Sequence, residues 1–225
     1  MEDKKVGINE DWLSLILGVV IFIFGLGVFG GVDLLGWAAS NKTWTDVTKM
    51  VAPVSKAYQG VKGEVVKIEG EKVTLKKSDG KTETVVVKEA ASLKVGDKYE
   101  KSGVHPFVSV ILTYLFMMVI MGIGTMLLRG NVGKFALGFT ITFWVAYICW
   151  CAGHFAYIAA LEPQKAGIPW SLRLSPEAGY IFALIAGLIF GNFFPGITGL
   201  MKESTKPELY VKTAIVIMGC ALGVK

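Results

Sequence analysis

Charge and reactive side chains are what this sequence has least of. Only 18% of its 225 residues are charged, it holds two histidines and three cysteines, and just two of its 23 basic residues, Arg129 and Arg173, are arginine. Each shortage closes a route. Two separate arginines form no cluster that would grip a divalent anion bidentately. Cys149, Cys151 and Cys220 lack metal-ligand spacing, and Cys149 and Cys151 stand two apart, on different faces of a helix, so they read as small packing residues. No paired carboxylates, histidine-rich motif or nucleophile–base pair occurs in the apolar stretches, and no enzymatic activity, cofactor or metal is expected. The net charge of +5 does not signal nucleic acid. Residues 60–103 hold ten lysines against eight acidic residues and the remaining charge is scattered at helix ends, which leaves no basic patch.

What is there is hydrophobic: 53% of residues, with a mean hydropathy of +0.54. Five runs, Trp12 to Val32, Phe107 to Leu128, Phe135 to Leu161, Ala178 to Phe194 and Leu209 to Val224, approach the roughly 17–25 apolar residues that cross a bilayer. This predicts an α-helical polytopic membrane protein with about five transmembrane helices. The first run is followed by Asp33 and has no small-residue cleavage site, so it reads as retained and not as a signal peptide. Lys4 and Lys5, the turn of Arg129 and Lys134, and the turn of Lys202 and Lys206 all fall on one side if the N-terminus is cytoplasmic, as the positive-inside rule asks. Residues 33–105, the 162–176 loop and Lys225 then lie outside.

The chain divides into a first transmembrane helix (1–36), an interfacial amphipathic segment (37–59), a small β-domain (60–103) and a four-helix membrane region (104–225). Trp37 and Trp44 are interfacial anchors. Val47, Val51, Val54 and Tyr58 recur at helical spacing, which predicts an amphipathic helix on the outer membrane face, bent at Pro53. From residue 62 apolar and polar residues alternate, with turn signals at "EGE" and "SDGK". Val65, Ile68, Val73, Leu75, Val85, Val87, Leu93 and Val95 would supply the core of a β-barrel-like extracytoplasmic insertion. Its strands offer no aromatic stacking face for nucleic acid.

Small residues recur every four positions at Gly179, Ala183, Gly187 and Gly191, and again at Gly219 and Gly223 and at Gly27 and Gly31. Such stripes let helix backbones approach closely in lipid. Two places carry polar groups within the apolar runs. At "GNFFPG", Asn192 is followed by Pro195, which removes a backbone donor. This is either a broken helix of the kind that binds substrate in transporters or a helix end capped by Asn192. His154 shares a helical face with Tyr147, Trp150, Cys151 and Tyr157. It is either a proton-relay or substrate contact or a structural imidazole satisfied by the tyrosine hydroxyls. Asn192, Pro195, His154 and Tyr157 are the candidate substrate-binding residues. Lys212 lies near enough to its helix end to snorkel.

Leu188, Gly191, Asn192, Phe194 and Pro195 form an "L-x-x-G-N-x-F-P" block, and Lys212 to Ile217 with Gly219 form "K-T-A-I-V-I-x-G". In these blocks the chain resembles the YeiH-type sulfate exporter family of conserved bacterial inner-membrane proteins. Residues 135–160 and 32–58 resemble its longer members, and the insertion at 60–103 has no match. The resemblance implies ten or more helices in repeated halves of inverted topology, so a chain ending at Lys225 is expected to be a fragment, a shortened homologue, or a half that assembles with a partner. The expected function is a secondary transporter, or the N-terminal half of one, exporting a small inorganic or organic anion such as sulfate across the bacterial inner membrane. Its partners would be the lipid bilayer, the anion, and further copies or a missing C-terminal half. The alternative is a non-transporting membrane scaffold whose external β-domain binds a partner.

Overall fold

The computed structural model describes residues 9–77, 80, 82–87 and 93–223. Lys4, Lys5 and Lys225, used above for orientation, and most of the "SDGK" turn lie outside the described residues.

Helix α1 (Glu10–Leu26) starts at Asn9, whose side chain accepts from the Asp11 N–H, and runs on as a 3-10 turn, Gly27–Gly30. Helix α2 (Pro106–Leu127) places Pro106 where its missing N–H costs nothing, and the His105 side chain caps it. Helix α3 (Val132–Gly153) starts from Asn131, which accepts from the Lys134 N–H. The short α4 (Ala156–Ala159) follows, then α5 (Ala178–Phe193), α6 (Pro195–Met201) and α7 (Pro207–Gly223). Three helices are long and apolar enough to cross a membrane: α1 with its 3-10 extension, α2 and α3. A fourth span is reached if α5 and α6, bent by 116° at Phe194, count as one. The last apolar run forms α7, 17 residues long.

Helices α2 and α3 lie antiparallel, with the Tyr114 hydroxyl 2.8 Å from that of Thr140 and Gly122 beside Phe135. Helices α1 and α7 run parallel, because Asp11 meets Lys212 while Gly18 meets Val216. Lys212 thus does more than snorkel: its Nζ lies 2.6 Å from Asp11 and 3.1 Å from Glu208. Leu13 and Leu17 of α1, Met121 of α2, Phe135 and Phe139 of α3 and Leu209 of α7 form the main buried cluster.

The segment 37–59 is not an amphipathic helix. Strands β1 (Ala39–Asn41) and β2 (Val51–Pro53) pair as an antiparallel hairpin, flanked by 3-10 turns at Val47–Lys49 and Lys56–Tyr58. The side chains of Asp46 and Ser55 take the N–H groups of Thr48 and Ala57 and cut any helix into single turns. Trp44, within the hairpin, is bolted to the end of α3. Its N–H donates to the His154 carbonyl at 3.1 Å, its carbonyl accepts from the Ala156 N–H at 2.8 Å, and its indole N–H donates to the Cys151 carbonyl at 2.9 Å.

The chain then passes through a neck where Gly60 and Gly103 meet; a Cβ on Gly103 would lie 2.0 Å from the Gly60 nitrogen. Beyond it, β3 (Val61–Glu69), β4 (Lys72–Lys76), β5 (Thr82–Val86) and β6 (Lys98–Lys101) form an antiparallel sheet in the order β5-β4-β3-β6. Gly70, at φ +59°, makes the "EGE" turn. Among the described residues the sheet is open and not barrel-closed, since β5 and β6 are edges. Val61, Val65, Val73 and Leu75 are its buried core, with Ile68, Val85, Val87, Leu93 and Tyr99 packed around them. Val95, expected inside, is 66% exposed.

The Lys77 ammonium against Glu83 holds that carboxyl below the usual carboxylate range. A depressed folded-state value stabilises above the ordinary range and is lost as pH falls through the folded value. Glu83→Gln is therefore expected to remove a stabilisation of less than about 1 kcal/mol at neutral pH and to leave stability unchanged at low pH, checked by urea titration at both. Trp44→Phe removes the indole donor to the Cys151 carbonyl, which keeps the His154 N–H, and thermal unfolding in detergent is expected to show a loss of about 0.5–1.5 kcal/mol.

Candidate functional site

Pro195 has no N–H to return to the carbonyl four residues earlier, so the helix ends at Phe193 and restarts as α6. Asn192 does not cap this end. Its side-chain N–H₂ donates to the Leu188 carbonyl at 2.7 Å, on the helix's own flank. Residues 191–196 are all exposed, and a Cβ on Gly187, Gly191 or Gly196 would meet nothing within 4 Å.

The reason is a mismatch of path. Gly179 touches α3 at Gly153, with a built Cβ on Gly153 only 2.3 Å from the Gly179 nitrogen, and α6 returns to α3 where Gly138 meets Leu200 and Met201. From Gly179 to Leu200 the chain advances about 31 Å of helix, but from Gly153 to Gly138 only about 22 Å, at 1.5 Å per residue. The excess bows outward. Helix α5 leaves α3 below Ala183, turns at Phe194, and α6 comes back, leaving Asn192 and Pro195 on an elbow that no described residue covers. Of the small-residue stripe, Gly179 packs closely on α3, whereas Gly187 and Gly191 have open space beside them among the described residues. Gly219 also has open space beside it.

His154 has a different setting. The run expected to continue helically to Leu161 stops at Gly153, and His154 is the C-cap residue, with φ −86° and ψ 0°. It is 6% exposed. Its Nδ1 lies 2.8 Å from the Trp150 carbonyl oxygen, so Nδ1 carries a proton and donates, and its ring packs edge-on against Trp150 at 4.7 Å. A backbone carbonyl, not a tyrosine hydroxyl, satisfies it. Tyr157 lies beyond the break in α4, tilted against Phe155 and edge-on to Trp170, and the expected face shared by His154 and Tyr157 does not form. The Tyr147 hydroxyl is buried with no hydrogen-bond partner among the described residues. The Cys151 sulfur accepts from the Asn41 side chain at 3.1 Å, while the Cys149 carbonyl lies beside Gly179 of α5.

The four candidate residues therefore fall into two places. His154 and Tyr157 sit at the hairpin end of the bundle, Asn192 and Pro195 toward the other, about 20 Å farther along α5. Trp44 and Asn41 organise the first place without a signal in the sequence, where Trp44 reads only as an interfacial anchor and Asn41 as an ordinary polar residue. Among the described residues no group of three or more His, Cys, Asp or Glu side chains is arranged to hold a metal.

No protein-family model matches the chain, and no solved structure matches it. Among curated proteins it is similar to UPF0324 membrane protein NE0724 of Nitrosomonas europaea, 30% identical over 218 residues, which cover 96% of this chain and 36% of that protein. The chain thus spans about a third of the length of the curated relative it matches. That likeness and the three long apolar helices identify a helical membrane protein. The relative's name gives no substrate.

Gly179 and Gly187 should respond oppositely to bulk. Gly179→Leu drives a side chain into Trp150 and is expected to cost at least about 1–3 kcal/mol. Gly187→Leu enters open space and is expected to stay within about 0.5 kcal/mol of the parent, both read from thermal melts in the same detergent.

Proposed function

We propose that this chain is one part of a secondary transporter for a small anion, and that the elbow at Asn192 and Pro195 faces a polar pathway and not lipid. The exposed break carries this reading. Interrupted backbone at membrane depth is tolerated only where protein covers it or water reaches it, and interrupted helices are where many transporters hold substrate. About 24 Å of α5 precedes the break, against a hydrocarbon core of about 30 Å, so the elbow lies in the leaflet beside Arg129, Lys134, Lys202 and Lys206. The positive-inside rule makes that side cytoplasmic and puts the four-stranded sheet outside, in a bacterial inner membrane. A site near the cytoplasmic face suits export. Further helices, from additional copies or from the rest of a longer protein, would enclose the pathway.

A second reading, a membrane scaffold whose sheet binds a partner, is favoured by the Gly60–Gly103 neck, which makes the sheet an appended unit. Flux from proteoliposomes separates the two. With sulfate and other small anions as substrates, Asn192→Ala is expected to lower flux about tenfold or more, the loss of one transition-limiting polar contact of about 1.4 kcal/mol. Excision of residues 61–102 would leave it in place. Well-folded protein that carries no anion sinks the transporter reading, and flux unchanged by Asn192→Ala removes the elbow from the pathway.

A further inference from the structure

Where the hairpin crosses the outer ends of α2 and α3, it roofs a cleft of about 570 Å³. The roof is Val47 to Val51, one wall is the first turn of α2, and the other is α3 from Trp144 to Cys151, about 10 Å of helix. No lysine, arginine, aspartate or glutamate lines it. Its depths are Val51, Val110 and Cys151, exposed by 7%, 4% and 8%, whereas its lateral lip is Phe107 and Ile148, exposed by 63% and 65%. Of its polar members, Thr48 and His105 lie at the end where the chain enters α2, and the Tyr147 hydroxyl, buried and without a partner among the described residues, lies about one helical turn deeper than Cys151 along α3.

We infer that the cleft seats the upper part of one acyl chain of a bilayer phospholipid, with its headgroup end beside Thr48 and His105. Four observations select this occupant. The uncharged lining offers nothing to pair with an ionic ligand, whose desolvation would go uncompensated. The lip opens sideways between two helices long enough to span the membrane, so the molecules that meet it are lipids. Thr48 and His105 lie at the level of the helix termini, where a lipid's glycerol and headgroup lie, with the Tyr147 hydroxyl the deeper polar group. The volume is in the range of pockets that enclose most of a small ligand. A chain seated here would fill the space between hairpin and helices and tie the roof to the α2–α3 pair. This inference does not depend on the transporter reading.

The test uses the 225-residue chain in nanodiscs containing a phosphatidylcholine with a photoactivatable diazirine on one acyl chain, followed by peptide mass spectrometry. Lipids around the protein can reach exposed side chains such as Phe107, Ile148 and Leu184, but only a chain inside the cleft reaches Val51, Val110 or Cys151. Adducts on at least one of these three are expected, and Val110→Trp, which fills the cleft, is expected to abolish them while adducts at Leu184 persist. Adducts confined to the exposed residues overturn the proposal. So do inner adducts that a folded Val110→Trp protein retains. If Val110→Trp does not fold, labelling of the unsubstituted chain decides alone.

Discussion

The end of α3 is the point on which the arrangement of this chain depends. A helix leaves its last carbonyls without intrahelical partners, and in an apolar setting each needs one. Here Trp44, more than a hundred residues upstream, supplies donors to the carbonyls of Cys151 and His154 and receives the Ala156 N–H in return. His154 folds its ring back to take the Trp150 carbonyl. The carbonyls of Trp150, Cys151 and His154 are thereby bonded, which holds the break in one geometry. That geometry fixes the hairpin across α2 and α3, with the Ala39 N–H donating to the Thr113 hydroxyl at 2.8 Å, and it leaves Gly153 bare at the position where α5 begins.

Close glycine contacts then set how the remaining helices run. Gly153 against Gly179 clamps the top of α5 to α3, and Gly138 against Leu200 clamps α6 to the bottom. Ser204 strengthens the lower clamp: it is fully buried, bonded to Thr142 at 3.2 Å, and its carbonyl accepts the Tyr210 hydroxyl at 2.8 Å. Between two fixed points a longer helical path has to bow. Pro195 decides where the bend falls, and the clamps decide that there is one. On the opposite flank Gly18 lets Val216 approach α1 closely, and the Asp11, Lys212 and Glu208 group sets the parallel register of α1 and α7.

How much of this is visible in the sequence follows from whether each feature is local. Helices α1 and α2, the start of α3 at Asn131, the Gly70 turn and the inward Val65, Val73 and Leu75 are written in hydropathy, caps and alternation, all readable within a few residues. The end of α3 is not, because "CAGHFAYIAA" remains apolar throughout and the donor that ends the helix comes from Trp44. The segment 45–58 misleads for a related reason. Its helical spacing of Val47, Val51, Val54 and Tyr58 is real, but only Val51 is buried, while Val47 and Val54 are 65% and 61% exposed. The side-chain caps at Asp46 and Ser55 are a better guide to that backbone than the apolar period. At the elbow, Pro195 announces the break, but the outward bow comes from two glycine contacts distant in sequence.

The two interruptions in the membrane helices are therefore unlike each other, and the difference bears on their roles. At His154 the carbonyls of Cys151, Ala152 and His154 find donors in the same chain, and the imidazole is held by a carbonyl one turn away. These bonds hold the His154 ring in place. At Phe194 the chain bends by 116° with residues 191–196 exposed and an amide side chain beside the lost hydrogen bond. Lipid cannot satisfy the Gly191 carbonyl or the free side-chain oxygen of Asn192, and leaving such groups unpaired in hydrocarbon costs several kcal/mol each. The first break is bonded within the chain, and the second leaves the Asn192 side chain and the Gly191 carbonyl at an exposed bend. Backbone interrupted at membrane depth has to be met by protein or water, and at that elbow no described residue of this chain does so.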